Sequence, residues 1–340
     1  MPTAATPLKG LEVKKSASAI TKDLQTEVVQ QVIESLNAGI VPWAAPLTGY
    51  VRPVNAARDN AYTGINFLIL MGAQRKAGYE HARWMTFADI LKAKGHLRKG
   101  EKAVKALAPW KGSAIPLKKG SVVTPEKESI EKSSEKKSED GKVFVPTGYT
   151  SFALFNVAQV DDLSDTIKLG LSTKTPAEGL QAAKDLLLAT GAKIERNSIA
   201  GAYVYGSDTL ISSPLDSFDS ESDAMVEAIH LLVHWSGHST RLDRDLSSRL
   251  GEFVEAGEEL VAHLATAFLQ ADLGLAGNLR HNNYLSKWLE MLHSHPRVLF
   301  HCTKHAELVV NHLLGYLKKD DSHATISSPG DSAGLLKKAA

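Results

Sequence analysis

Across residues 21 to 37 the apolar side chains Leu24, Val28, Val29, Val32, Ile33 and Leu36 recur at helical spacing, and Gly39 follows where a helix ends on a left-handed residue. The pattern predicts an amphipathic helix with one buried face. A second helix is predicted from Thr63, read as its N-cap, through Phe67, Leu68, Leu70 and Met71 to Lys76, with Gly78 just beyond. A third spans residues 86 to 94. It opens on Thr86-Phe87-Ala88-Asp89, a capping box with Asp in place of Glu, and stops at Gly95. Residues 104 to 110 and 152 to 157 then have strand-like content. Further on, Pro176 suits the first turn of a helix that runs to Thr190 and closes at Gly191. Short strands follow near residues 192 to 196, 202 to 205 and 209 to 212, and the chain is then predicted helical from Ser220 almost to Lys318.

The segments between these elements set the domain organisation. Residues 1 to 20 and 319 to 340 lack periodicity and read as disordered tails. Residues 118 to 142 are dominated by Lys, Glu, Ser and Asp and cannot bury enough apolar surface to offset their ordering entropy. They read as an insertion between two strands of one domain, because the flanking apolar runs need each other to form a sheet. Residues 165 to 175 read as the linker. At 340 residues the chain exceeds one ordinary core. The expectation is therefore α+β: a first domain of helices and a curved sheet over residues 21 to 164, then a mainly helical domain with a small sheet over residues 176 to 318.

Charge changes this picture. The total of 39 Lys and Arg against 38 Asp and Glu looks neutral, but residues 1 to 120 hold 18 cations against 8 acids, and the remainder holds the opposite excess. Such asymmetry points to a polyanion as partner of the first half. The cations are interleaved with rings: Arg52, Arg58, Tyr62, Arg75, Lys76, Tyr79, Arg83, Trp84, Lys99, Lys102, Lys105, Trp110 and Lys111. Cations neutralise phosphates, whereas aromatic faces stack on unpaired bases at about 1 to 3 kcal/mol per base, so the combination favours single strands over duplex. Taken singly, each ring reads first as core, Phe67 and Phe87 above all. Cys302 is the only cysteine, which excludes a disulfide framework and a cysteine-based zinc site. With neither a signal-like apolar run nor a stretch of membrane-spanning length, a soluble cytoplasmic protein is expected.

Five ordered blocks carry a resemblance. They are Tyr62-Thr63-Gly64-Ile65-Asn66, Gly78-Tyr79, Trp84-Met85-Thr86-Phe87, Arg98-Lys99-Gly100-Glu101-Lys102 and Phe155-Asn156-Val157-Ala158-Gln159-Val160. Their order and spacing resemble the N-terminal domain of the ArdC antirestriction family, also found at the front of TraC-type plasmid primases. The resemblance implies single-stranded DNA binding, with Arg52, Arg58, Tyr62, Asn66, Arg75, Lys76, Arg83, Trp84, Arg98, Lys99, Lys102, Lys105 and Trp110 as candidate contacts. It also implies protection of a mobile element's DNA from host restriction enzymes.

In the second half stands His230-Leu231-Leu232-Val233-His234. Histidines at i and i+4 lie on one helix face and can chelate one cation, zinc or another divalent metal. Zincins write this motif His-Glu-x-x-His, the glutamate being the general base, and here that position is Leu231. The motif therefore reads as a degenerate metallopeptidase, a pseudoenzyme whose metal binding is weakened or lost. The family resemblance implies Glu259 as third ligand, with Glu258 the near alternative. Family members usually carry an acid where this chain has His263, so His263 is expected to stand outside the ligand set and weaken the site. His238, His281 and Tyr284 are expected to support the site from behind. Isolated histidines such as His293, His301 and His305 read as surface or core residues. Two other readings compete: a hydrolase using Glu227 or Glu258 as substitute base, and an interaction protein whose acidic half acts on the host restriction machinery.

Overall fold

The computed structural model describes residues 17–44, 51–111, 115–116, 142–143, 146–170, 174–197, 201–244, 253–279 and 284–324. The predicted tails, apart from residues 17–20 and 319–324, and nearly all of the predicted insertion lie outside this set. Helix α1 (Ala17–Asn37) opens the described chain, with Leu24, Val28, Val29, Val32, Ile33 and Leu36 all buried as their spacing requires. Strand β1 (Val54–Asn55) and helix α2 (Ile65–Ala77) follow. The second helix begins after Gly64 rather than at Thr63, because Gly64 takes the positive φ of 56° at the turn into the helix. Strand β2 (Arg83–Met85) leads into α3 (Phe87–Lys92), whose capping box is complete: Thr86 accepts from the Asp89 backbone N–H while the Asp89 carboxylate accepts from the Thr86 backbone N–H. The left-handed residue after α3 is Lys94, with φ 58°, not Gly95. Gly95 is needed for closeness instead, since a Cβ there would stand 2.7 Å from Leu163 and 2.9 Å from Val160.

Strands β3 (His96–Leu97), β4 (Val104–Lys111), β5 (Ile115–Pro116), β6 (Lys142–Val143), β7 (Pro146–Asn156) and β8 (Val160–Asp161) complete the first half. The main sheet has the order β1-β2-β7-β4, with β1 and β2 parallel and the other neighbours antiparallel. The long β4–β7 pairing joins the two strands on either side of the charged segment, as the sequence expectation required. Strands β5 and β6 pair at that segment's base, and β3 pairs with β8.

The segment read as a linker contains a short helix, α4 (Asp165–Leu169). Helix α5 (Pro176–Thr190) matches its predicted bounds: Thr175 and Glu178 form a capping box, Pro176 sits at the first turn, and Gly191 closes the helix at φ 65°. Strands β9 (Lys193–Arg196), β10 (Ala202–Val204) and β11 (Thr209–Ser212) form a small sheet of order β10-β11-β9. Helices α6 (Glu221–Trp235), α7 (Val254–Leu273), α8 (Leu285–Ser294) and α9 (Val298–Ala324) make the rest. No helix among the described residues is long and apolar enough to cross a membrane.

The two halves are not separately packed. The largest cluster of buried apolar residues runs continuously from Val29, Leu36 and Trp43 through Phe67 and Leu107 to Ile229, Phe268, Trp288 and Leu313. Trp43 meets Trp288 edge to face at 5.5 Å, and Phe67 meets Phe268 at 4.4 Å. The apolar face of α1 is thus covered by both its own sheet and the helices of the second half.

Candidate functional site

The α6 sequence places ten buried residues over four turns, so the helix is held rigidly on all but one side. Ser220 caps it by accepting from the Asp223 N–H at 3.1 Å. His230 and His234 lie one turn apart on the side facing α7, with their Nε2 atoms 3.3 Å apart. Helix α7 is buried nearly throughout and presents Glu259 to both rings. Glu259 Oε1 lies 3.2 Å from His230 Nε2, and Oε2 lies 3.5 Å from His234 Nε2. His263, one turn further along α7, brings its Nε2 to 3.2 Å from the same Oε1. The donor atoms of His230, Glu259 and His263 all fall within 4.8 Å of one another.

These distances fit a metal. Nitrogen and oxygen ligands bound tetrahedrally at about 2.1 Å stand about 3.4 Å from each other. The protonation pattern fits as well. The Thr266 hydroxyl donates to the Ala262 carbonyl at 2.7 Å and lies 3.4 Å from His230 Nδ1, so it can only accept a proton from that nitrogen. With its proton on Nδ1, His230 would offer Nε2 to a cation beside Glu259. Burial lowers the His230 pKa despite the Glu259 carboxylate, keeping the ring neutral. Burial would raise the Glu259 pKa, but hydrogen bonding to His230, His234 and His263 holds it well below the usual carboxylate range. His234 carries the compensating proton: burial opposes it, yet Glu258 and Glu259 push its pKa up to about 9. A divalent cation would take the place of that proton.

Glu258, the alternative third ligand, is engaged elsewhere. Arg244 grips both its oxygens, Nε lying 3.1 Å from Oε1 and 3.0 Å from Oε2, and Arg244 is itself fixed to Ser236 Oγ and the Val233 carbonyl. Burial raises the Glu258 pKa, but His234 and Arg244 together hold it down to about 2. Its remaining contact is with His234 Nδ1 at 3.7 Å, so it orients that ring from behind. Glu227, the other candidate base, accepts from the Ser213 N–H at 2.8 Å and ties β11 to α6. Leu231 is 3% exposed and belongs to the shared core.

The expected supporting residues separate. Tyr284 donates to Glu255 at 2.7 Å and stacks on Trp288, whose indole N–H donates to the Ala256 carbonyl and whose ring abuts His263 at 5.0 Å. His238 does not join the ligand cluster. The helix ends at Trp235, and His238 turns toward Thr240 and the Tyr205 ring. His281 lies outside the described residues.

The candidate nucleic-acid contacts also divide. Arg52 is 5% exposed; its Nε lies 2.7 Å from Asp272 and its Nη1 3.1 Å from Glu307, beneath the rings of Phe67 and Phe268. It joins the two halves and cannot reach a phosphate. Trp84 is fully buried and offers no face for stacking. Arg83 is consumed by the Ile167 and Ala56 carbonyls and by Asp59. Asn66 exchanges two hydrogen bonds with the Leu107 backbone, pinning α2 to β4. Arg75 and Arg98 are exposed but tied, Arg75 to the Val41 and Ala44 carbonyls and Arg98 to Glu101, Asp161 and the Ala158 carbonyl. Tyr62 is half-buried beside Asn55, Lys105 is exposed 3.7 Å from Glu27, and the Trp110 side chain lies outside the described set. Arg58 is exposed, its guanidinium 3.2 Å from Asp89 of α3. Lys76, Lys99 and Lys102 are exposed and form no ion pair with another described residue.

Besides Trp84, a second ring was misplaced by sequence reasoning. Phe87, read as core, is 51% exposed, and Leu91, one turn on, is 60% exposed. The capping box turns Asp89 inward beside Ile90, and in a six-residue helix that sends positions 87, 88, 91 and 92 to solvent. Helix α3 thus exposes Phe87 and Leu91, with the exposed cations Lys92 and Lys94 close in sequence and Arg58 paired to its Asp89.

Comparison with known proteins matches each half. Residues 22–152 match the family model described as the N-terminal domain of anti-restriction factor ArdC, and residues 181–305 match that of a zincin-like metallopeptidase. A DNA primase TraC of Escherichia coli is 29% identical over 318 residues, 90% of this chain but 28% of the primase, so the chain spans about a quarter of that relative's length. Protein y4eC of Sinorhizobium fredii is 28% identical over 85% of this chain and 91% of its own length. The crystal structure of the antirestriction protein ArdC from plasmid R388, metal-free, superposes with a TM-score of 0.67 at 27% identity, covering 87% of this chain and 98% of that one. The same protein bound to Mn(II) gives 0.64 at 26% identity over 86% and 98%.

Proposed function

Since the chain belongs to the ArdC-type family, with that family's N-terminal domain ahead of a zincin-like domain, we propose that it is an antirestriction factor of a mobile element that works by holding single-stranded DNA without regard to sequence, its second domain being hydrolytically silent. The observation that carries the reading is the α3 face. Phe87 is a half-exposed ring one helical turn from exposed Leu91, Lys92 and Lys94 are exposed on the same helix and the turn that ends it, and exposed Arg58 is paired to Asp89 of α3. Lys76, Lys99 and Lys102 add exposed charge elsewhere on the same half. Cations alone serve duplex and single strands alike, whereas an accessible ring gains energy only from an unpaired base.

Replacing Phe87 with alanine in the full chain should weaken binding of a single-stranded oligonucleotide about tenfold, from the stacking of about one base at 1 to 3 kcal/mol. Phe87→Trp should retain binding and report it by fluorescence quenching. Undiminished single-strand affinity in the alanine variant would remove this face from the interface.

The metal reading follows from the donor set. His230, His234 and Glu259 would hold a divalent cation, such as zinc or the manganese bound by the R388 relative. Such an ion supplies Lewis acidity to a carbonyl oxygen. Hydrolysis also needs a base beside it, and among the described residues none of the positions weighed for that role is free to act. Leu231 takes no proton, Glu227 is engaged by the Ser213 backbone, and Glu258 is clamped by Arg244. What the second domain supplies is the other wall of the shared core that holds α1 and α2 in place.

A further inference from the structure

We propose that His263 is itself a metal ligand, so that His230, His234, Glu259 and His263 form a four-donor site made of protein alone, in which the ion fastens α6 to α7 and is closed to substrate. The proposal rests on reading this cluster as a metal locus and deepens that reading.

Three observations carry it. His263 Nε2 stands 3.2 Å from Glu259 Oε1, the same separation as His230 Nε2, and close to the spacing of two ligands on one ion. The donor atoms of His230, Glu259 and His263 are mutually within 4.8 Å, so that small side-chain shifts would bring all three onto one ion, while His234 Nε2, outside that group, adjoins His230 and Glu259 at 3.3 and 3.5 Å and would close on the same ion. The His263 side chain is also almost fully buried, edge-on to Trp288, where its ring is fixed against the cluster by packing.

Four nitrogen and oxygen donors complete the coordination of a structural zinc site, whereas hydrolytic sites keep three and leave a position open. A histidine at 263 would fill the position that hydrolysis requires, and Leu231 removes the base that hydrolysis requires. Leu231 and His263 bear on the two halves of one apparatus, the base and the open position, so either alone would suffice to silence it. Both fall on the helices that the ion would join, α6 and α7.

The test is cobalt(II) titration of the full-length protein, read by visible absorption and by bound-metal stoichiometry. Wild type should bind one cobalt with the intense absorption of a four-coordinate ion, and added azide should leave the spectrum unchanged. His263→Ala should bind at least tenfold more weakly, with weaker absorption that responds to azide. His263→Gln keeps a hydrogen-bond donor for Glu259 but no imidazole, and should behave like the alanine variant, with circular dichroism confirming that both fold. If glutamine restores the wild-type spectrum, or azide shifts the wild-type spectrum, His263 is a positioning residue, and the closed site is refuted while the metal locus stands. If wild type takes up no cobalt, both fall.

Discussion

Arg52→Ala is expected to lower the unfolding free energy of the full chain by about 3 to 5 kcal/mol, because removing one member of a buried ion-paired group strands the others. Arg52 comes from the segment before β1, whereas Asp272 ends α7 and Glu307 lies in α9, so the loss falls on the joint between the halves. The deficit should depend on pH. Burial pushes the Asp272 carboxyl up to about 6, helped by Glu307 and opposed by Arg52. A carboxyl whose folded pKa lies above its unfolded value of 3.8 binds its proton more tightly in the fold. Its contribution is fully present below that unfolded value and is lost as pH rises through the folded one. Without Arg52 the folded value rises further, so the variant should be closer to wild type at about pH 5 than at about pH 7.5. Urea unfolding at both pH values measures this, and equal deficits would contradict the arrangement. The same joint makes an isolated N-terminal fragment a poor reagent, since it would expose Trp43, Phe67 and the inner face of α1.

The second large effect concerns chemistry. With zinc or manganese supplied, the full chain should show no metal-dependent cleavage of casein or of itself, since loss of a general base alone removes a factor of about 100 to 10,000. Leu231→Glu should not restore it. The new carboxyl would enter a core position at a cost in stability, and a filled coordination sphere would still exclude substrate. Proteolysis that zinc stimulates and His230→Ala abolishes would overturn the silent-domain reading.

Local grammar was legible in the sequence. Thr86 with Asp89, and Thr175 with Glu178, announce helix starts because the capping bonds are made within four residues. The His230–His234 pair was legible for the same reason, since i,i+4 spacing on a helix fixes proximity without knowledge of the fold. Glu259 required a resemblance, as nothing local says which helix faces α6. What escaped was decided at long range. Arg52 read as a phosphate contact because its partner Glu307 lies 255 positions away. Trp84 read as a stacking ring because a three-residue strand carries too little pattern to show that it is buried on both sides. Phe87 was misjudged in the opposite sense, since residue type outweighed the geometry of a very short helix. His263 was read as a weakening substitution behind the ligands, and what the sequence could not give is its place 3.2 Å from Glu259, on which the four-donor proposal rests.

The central claim, that the first half grips unpaired nucleotides by charge and stacking, is tested most directly by titrating fluorescent single-stranded and duplex oligonucleotides with the full chain at low and moderate salt. Arg58, Lys76, Lys92, Lys94, Lys99 and Lys102 are exposed. About six phosphate contacts at about 0.7 released ions each give a log–log slope near −4, so a fourfold rise in salt should weaken single-strand binding by roughly two orders of magnitude. Single strands should bind more tightly than duplex of the same length at every salt concentration. Equal affinity for both, or no binding of either at low salt, would contradict the account.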